Sequence, residues 1–195
     1  MEFPLHLTFK FFALAPQIYV RDAKGVELFY VKQKMFKLKE DINIFADQAQ
    51  SRQVATIKAD RILDFNARYA IGSADGQVLG GVGRRGMRSL WAAHYEIFGA
   101  DGAVAGNIRE ENPFAKVMDA LFSEIPVVGA FAGYVFHPHY LLSAADGTPL
   151  LRLKKKAAFL EGKFEIEQLN ATAEQETTRN VLALLMLVLL ERRRG

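Results

Sequence analysis

Val181-Leu182-Ala183-Leu184-Leu185-Met186-Leu187-Val188-Leu189-Leu190 is an unbroken apolar run, preceded by Thr177-Thr178-Arg179-Asn180 and followed by Glu191-Arg192-Arg193-Arg194. Crossing a bilayer takes about 20 apolar residues, so a run of this length reads as a buried helix. A helix that is apolar all round has to be surrounded on every side. We therefore expect a helix over about 176–192 at the centre of the fold, with the rest of the chain enclosing it.

The enclosing material is legible from its turns. Ile18 to Lys32 is centred on Lys24-Gly25, Tyr69 to Arg84 on Asp75-Gly76, Tyr95 to Arg109 on Asp101-Gly102, and Tyr140 to Lys154 on Asp146-Gly147. In each, a large apolar or aromatic residue (Ile18, Tyr69, Tyr95, Tyr140) stands six positions before the residue that precedes glycine, and an aliphatic one (Val31, Val82, Ile108, Leu153) six after it. Each reads as strand, turn, strand, because a tight hairpin needs positive φ at its central residues and Asp-Gly supplies it at little steric cost. Ile42, Ile44 and Ala46 lead through Asp47-Gln48 to Val54, Thr56 and Ile57 as a fifth hairpin that lacks the glycine. Ahead of them Phe3, Leu5, Leu7, Phe9 and Phe11 alternate with polar residues and proline, the period of a half-buried strand over 3–12. A sheet of so many short strands leaves open edges unless it closes or folds over. The expected fold is mainly β: one domain over 1–195, a closed antiparallel barrel of about 10–12 strands around the C-terminal helix.

One further segment leaves the β rhythm. Asn112-Pro113 caps a run in which Phe114, Val117, Met118, Leu121 and Phe122 follow helical spacing. It predicts a short amphipathic helix over 113–123, inserted between the third and fourth hairpins, with its stripe on the core.

The chain of 195 residues can bury a core without covalent help. It has no cysteine, which excludes a disulfide framework, a thiolate nucleophile and a cysteine zinc site, and agrees with a cytoplasmic protein. Net charge is +3, so electrostatic function has to come from local clustering. Phe11-Phe12-Ala13-Leu14-Ala15 is not expected to be a secretory signal, since Glu2, His6 and Lys10 interrupt its approach.

Hairpins in series, returning strands that end aliphatic then basic (Tyr30-Val31-Lys32-Gln33-Lys34 and Leu153-Lys154-Lys155-Lys156), and a wholly apolar C-terminal helix together resemble the tubby C-terminal-domain-like superfamily. That group includes the phospholipid scramblases and the plant LURP-one-related proteins. The resemblance spans Phe3 to Leu190 and rests on architecture and spacing. It implies a closed barrel of about a dozen strands wrapped around the terminal helix.

Few residues offer chemistry. His137-Pro138-His139 and the pair His94 and Glu96 could supply nitrogen and oxygen ligands to a metal, which makes a metal-dependent enzyme or small-ligand carrier the alternative reading. A structural role for these histidines is the simpler expectation. Gly81-Val82-Gly83-Arg84-Arg85-Gly86 spells a dinucleotide fingerprint, but that motif needs a following helix to face the pyrophosphate, and a bulge or close strand crossing is expected instead. No serine stands in a nucleophile-elbow motif.

The cations carry more. Lys32, Arg84, Arg109 and Lys154 stand seven or eight positions after their turn glycines, at equivalent places in successive hairpins. In a closed sheet such positions share one end, where Lys34, Arg85, Arg88, Lys155 and Lys156 would join them. The competing explanation is that strand ends are simply wet and charged. The expected function is a non-enzymatic module, needing no cofactor, that binds anionic phospholipid headgroups or lies peripherally on a membrane. A structural or protein-binding role is the other alternative, and nucleic-acid binding is not expected because no recognition motif accompanies the bases.

Overall fold

The computed structural model describes residues 1–10, 17–32, 41–60, 68–84, 94–111, 139–156 and 161–192. They form β1 (Leu5–Lys10), β2 (Gln17–Arg21), β3 (Glu27–Lys32), β4 (Ile42–Phe45), β5 (Gln53–Asp60), β6 (Arg68–Ser73), β7 (Val78–Arg84), β8 (His94–Phe98), β9 (Val104–Glu110), β10 (His139–Ala144), β11 (Pro149–Lys156), β12 (Glu161–Gln168) and helix α1 (Glu174–Arg192). Each strand pairs antiparallel with its neighbours in sequence, and β12 returns to β1 with Leu5 opposite Ile166 and Lys10 opposite Glu161. The result is a closed twelve-stranded up-and-down barrel without a free edge. The first strand begins at Leu5, two residues later than the alternation over 3–12 suggested, while residues 11–12 and the amphipathic segment 113–123 lie outside the described residues.

The strand that closes the barrel, β12, belongs to none of the hairpin repeats. It reads Glu161-Gly162-Lys163-Phe164-Glu165-Ile166-Glu167-Gln168, with Ile166 fully buried.

The turns differ in one respect from a two-residue Asp-Gly hairpin. Only the glycines take positive φ, at 81° for Gly25, 86° for Gly76, 78° for Gly102 and 90° for Gly147. The N–H groups of these glycines donate to the carbonyls three residues back, those of Asp22, Ser73, Gly99 and Ala144. Those same residues donate to Val26, Gln77, Ala103 and Thr148. Each hairpin is thus a three-residue loop with glycine at its left-handed position, and the aspartate has another task. Asp75, Asp101 and Asp146 accept the N–H two residues on, pinning the exit from the turn. In the glycine-free hairpin Gln50 occupies the left-handed place, with φ 58°.

Every hairpin also slips register just before its turn, between Val20/Arg21, Ile44/Phe45, Ile71/Gly72, Ile97/Phe98 and Leu142/Ser143. The residues passed over on the returning strands are Leu28, Val54, Leu79, Ala105 and Leu150, all apolar. A bulge bends and twists its strand. Repeated around one end, these bulges curl the sheet and supply extra apolar side chains there.

Inside, the strands present Leu7, Val20, Val31, Ile57, Ile71, Val82, Ile97, Ile108 and Ile166, each at most 2% exposed. They close around α1, whose residues Val181 to Leu187 have no exposure at all. The helix begins after Ala173, whose carbonyl accepts the Thr177 N–H at 2.9 Å. Its buried stretch starts earlier than the apolar run, taking in Thr177, Arg179 and Asn180. No helix among the described residues is long and apolar enough to cross a membrane.

Gly81 and Gly83 lie within β7, where an ideal Cβ on Gly81 would stand 2.9 Å from the Tyr69 carbonyl oxygen. Gly81 thus permits close approach of two strands, as expected for this segment.

Two outcomes follow for stability. Gly25, Gly76, Gly102 and Gly147 have nothing within 4 Å of an added Cβ, so alanine there meets only the positive-φ penalty of about 1–2 kcal/mol. Gln50→Gly relieves that penalty against an entropic cost of about 0.5–1 kcal/mol, so urea midpoints should fall for Gly147→Ala and rise slightly for Gln50→Gly. For the helix, Leu185→Ala should cost about 2–5 kcal/mol, while Leu185→Lys or truncation after Ala173 should yield unfolded or aggregated protein. A soluble truncated chain with a cooperative, unshifted transition would show that the barrel does not need its helix.

Candidate functional site

Antiparallel closure gives the barrel two unlike ends. One carries the short turns after β2, β4, β6, β8 and β10, and the start of α1. The other carries the ends of the odd-numbered strands and the starts of the even-numbered ones. Lys32, Arg84, Arg109 and Lys154 stand toward this second end, on β3, β7, β9 and β11, with Lys155 and Lys156 beyond Lys154. Lys34, Arg85 and Arg88 lie outside the described residues, as does His137.

Apart from Arg84, whose side chain lies outside what the structure describes, the cations considered at this end fall into two groups. On β11, Leu151 and Leu153 face the core, so Arg152, Lys154 and Lys156 face outward. The outward acids of β12 take them up: Lys154 Nζ pairs with Glu167 at 2.5 Å and Lys156 Nζ with Glu165 at 2.8 Å. Arg152 donates from Nε and Nη2 to both oxygens of Glu111, at 2.9 to 3.1 Å, and stands 4.0 Å from Glu167. This bidentate bond raises the arginine pKa further above its ordinary value. The network ties β11 to β12 and to the end of β9. Lys154 and Lys156 thus each have an acidic partner on the neighbouring strand.

The second group is exposed and makes no ion pair among the described residues. It comprises Lys32 at the end of β3, Arg109 on β9 and Lys155 on β11. Lys155 continues the inward register of Leu151 and Leu153 past the last apolar pair, opposite Phe164. Lys10 and Lys163 join them from β1 and β12, also exposed. Lys10 Nζ stands 4.9 Å from the ring centroid of Tyr19, close enough for a cation–π contact. These two went unnoticed in the sequence because they belong to strands outside the hairpin repeats. The alternation of Lys163 with Phe164 and Ile166 was the available signal.

His94 and His139 do not come together. His94 lies opposite Arg109 and His139 opposite Lys154, with β9 running between their strands. Among the described residues no group of three or more His, Cys, Asp or Glu is placed to hold a metal ion.

The Lys154 hydrogen bond holds the Glu167 carboxyl below the usual glutamate range. Its contribution to stability is present above the ordinary pKa of about 4.3 and fades as pH falls through the folded value. Both side chains are about one-quarter to one-third exposed, so solvent screening keeps the contribution at about 1 kcal/mol or less. Urea unfolding at pH 6 and pH 3 should show a stability loss on acidification that is smaller in Glu167→Gln. An identical loss in the two proteins would remove this pair from the acid response.

No family model matches the chain, and neither does any curated protein or solved structure.

Proposed function

We propose that this chain is a non-enzymatic binding module that docks on anionic phospholipid headgroups through the cation-bearing end of its barrel. One observation carries the reading. Lys10, Lys32, Arg109, Lys155 and Lys163 come from five strands, lie toward one end, and are exposed without an ion-pair partner among the described residues. Attraction to an anionic membrane is worth about 1 kcal/mol per well-placed Lys or Arg, so several together give useful reversible binding while one gives little.

The opposite end supports the same orientation. Its turns carry Asp22, Asp47, Asp75, Asp101 and Asp146, and α1 opens there with Glu174 and Glu176. An anionic surface repels that end and attracts the other. The resemblance to the tubby-like superfamily, which includes the phospholipid scramblases, points the same way. On this reading the protein is cytoplasmic and peripheral, held by charge rather than by a span.

The test is co-sedimentation with liposomes of rising phosphatidylserine content at 50 and 300 mM salt. Wild type should bind in proportion to anionic lipid and weaken as salt shortens the screening length. Lys32→Glu/Lys155→Glu should lose most binding at unchanged thermal stability, because neither residue holds an ion pair among the described residues. Lys24→Glu, at the acidic end, should bind as wild type does. Absence of binding at low salt, or equal binding by both variants, would leave these cations as solvated strand ends.

A further inference from the structure

At the turn end, where α1 enters the barrel, an open cavity of about 470 Å³ is lined by Leu79, Asp101, Val104, Gln175, Glu176 and Arg179, among others. Arg179 is only 8% exposed. Its Nε donates to Asn180 Oδ1 at 3.2 Å, and among the described residues no protein oxygen accepts from either Nη and no carboxylate lies within ion-pair distance. Gly80 makes room for its stem: an ideal Cβ there would meet Arg179 Cδ at 2.7 Å and the Phe98 carbonyl oxygen at 2.2 Å.

Its Nη groups face the open cavity while most of the side chain is buried, and with no carboxylate beside it that burial pushes the arginine pKa down. Asp101 and Glu176 act on it only from a distance, raising the pKa and partly countering burial. Asp101 is committed elsewhere through Oδ1, which accepts the Ala103 N–H at 3.0 Å. The cavity therefore holds one cation with unused donors and two carboxylates with oxygens to spare. Their net charge of −1 disfavours a phosphate dianion. It suits a ligand that brings a carboxylate for the arginine and a positive group for the acids.

We infer that this cavity receives a small amino-carboxylate, its carboxylate on the Nη groups of Arg179 and its ammonium group beside Asp101 and Glu176. The site is independent of the cationic end and lies across the barrel from it. It also explains why a polar, charged turn precedes the apolar run of α1 inside the lumen. Arg179 is retained for binding at a cost in stability, the usual compromise at a site.

Full-length protein is titrated with β-alanine, propionate and inorganic phosphate at matched ionic strength, and thermal unfolding is followed. β-Alanine should raise Tm saturably, by about 5–10 °C at 100 times its Kd. Propionate, which lacks only the ammonium group, should bind at least tenfold more weakly, and phosphate should give no saturable shift. Asp101→Asn/Glu176→Gln, which keeps the acceptor for Ala103, should bring β-alanine down to the affinity of propionate. Arg179→Met should unfold no earlier than wild type without ligand and should respond to none of the probes. A ligand-free Arg179→Met protein less stable than wild type would make Arg179 a structural residue and overturn the assignment. So would phosphate matching β-alanine, or the absence of a saturable response. Whether or not that variant folds, the Nε–Hε resonance of Arg179 in the wild-type protein should move with β-alanine; a resonance that stays in place overturns the proposal.

Discussion

Enclosure of an all-apolar helix is the constraint on which the rest of this structure depends, and the dependence runs both ways. With no polar face, α1 has nothing to present to water, so it needs a wall on every side. A twelve-stranded barrel has the converse difficulty. About eight strands close on a lumen that side chains alone can fill, whereas wider barrels leave space. An α-helix with its side chains is about 10–12 Å across, and it occupies the space that the inward isoleucines, leucines and valines leave open. The two are buried against each other, and the core is a single cluster of strand and helix residues.

That arrangement orders charge along the barrel axis. The helix enters at the end with the short turns, where Glu174 and Glu176 complement the positive end of its dipole. The same end collects aspartates because its turns use them: Asp75, Asp101 and Asp146 each accept a backbone N–H within their hairpin. The other end collects lysines and arginines at strand termini. Part of that positive charge is spent on holding strands together, as in Arg152 with Glu111 and Lys154 with Glu167. Lys10, Lys32, Arg109, Lys155 and Lys163 are exposed. A modest net charge of +3 therefore conceals a strongly polar molecule.

Most of this architecture was legible in the sequence because two local signals have simple physical causes. Glycine at a fixed offset marks a left-handed turn position, and an apolar run without a polar face marks an enclosed helix. Where the signal was weaker, legibility failed in a traceable way. The glycine-free hairpin was readable only from its flanking alternation, since Gln50 adopts the left-handed conformation unannounced. The closing strand β12 has no place in the repeat, although its apolar and acidic residues alternate. The bulges were invisible because register is a property of paired strands, and only pairing shows that Leu28, Leu79 and Leu150 are extra residues. Among the cations, position along a repeat indicates the end of the barrel but not the partner. Lys154 meets Glu167 across a strand pair that spacing within one hairpin does not describe.

The cavity at the barrel mouth was hidden for a related reason. Arg179 lies in a segment that reads as the polar lead-in to an apolar helix, a place where a charged residue would ordinarily be solvated. Burial follows only from how far the helix has already entered the barrel by that residue, and from Gly80 leaving space for the arginine stem. The bulges sharpen the effect: Leu79 and Ala105, extra residues on β7 and β9, both line the cavity. The device that curls the sheet at its turn end thus also walls in the one charged side chain of the buried helical stretch. A polar helix turn becomes a binding wall at the point where enclosure begins. Two residues further on, from Val181, the same helix is pure core.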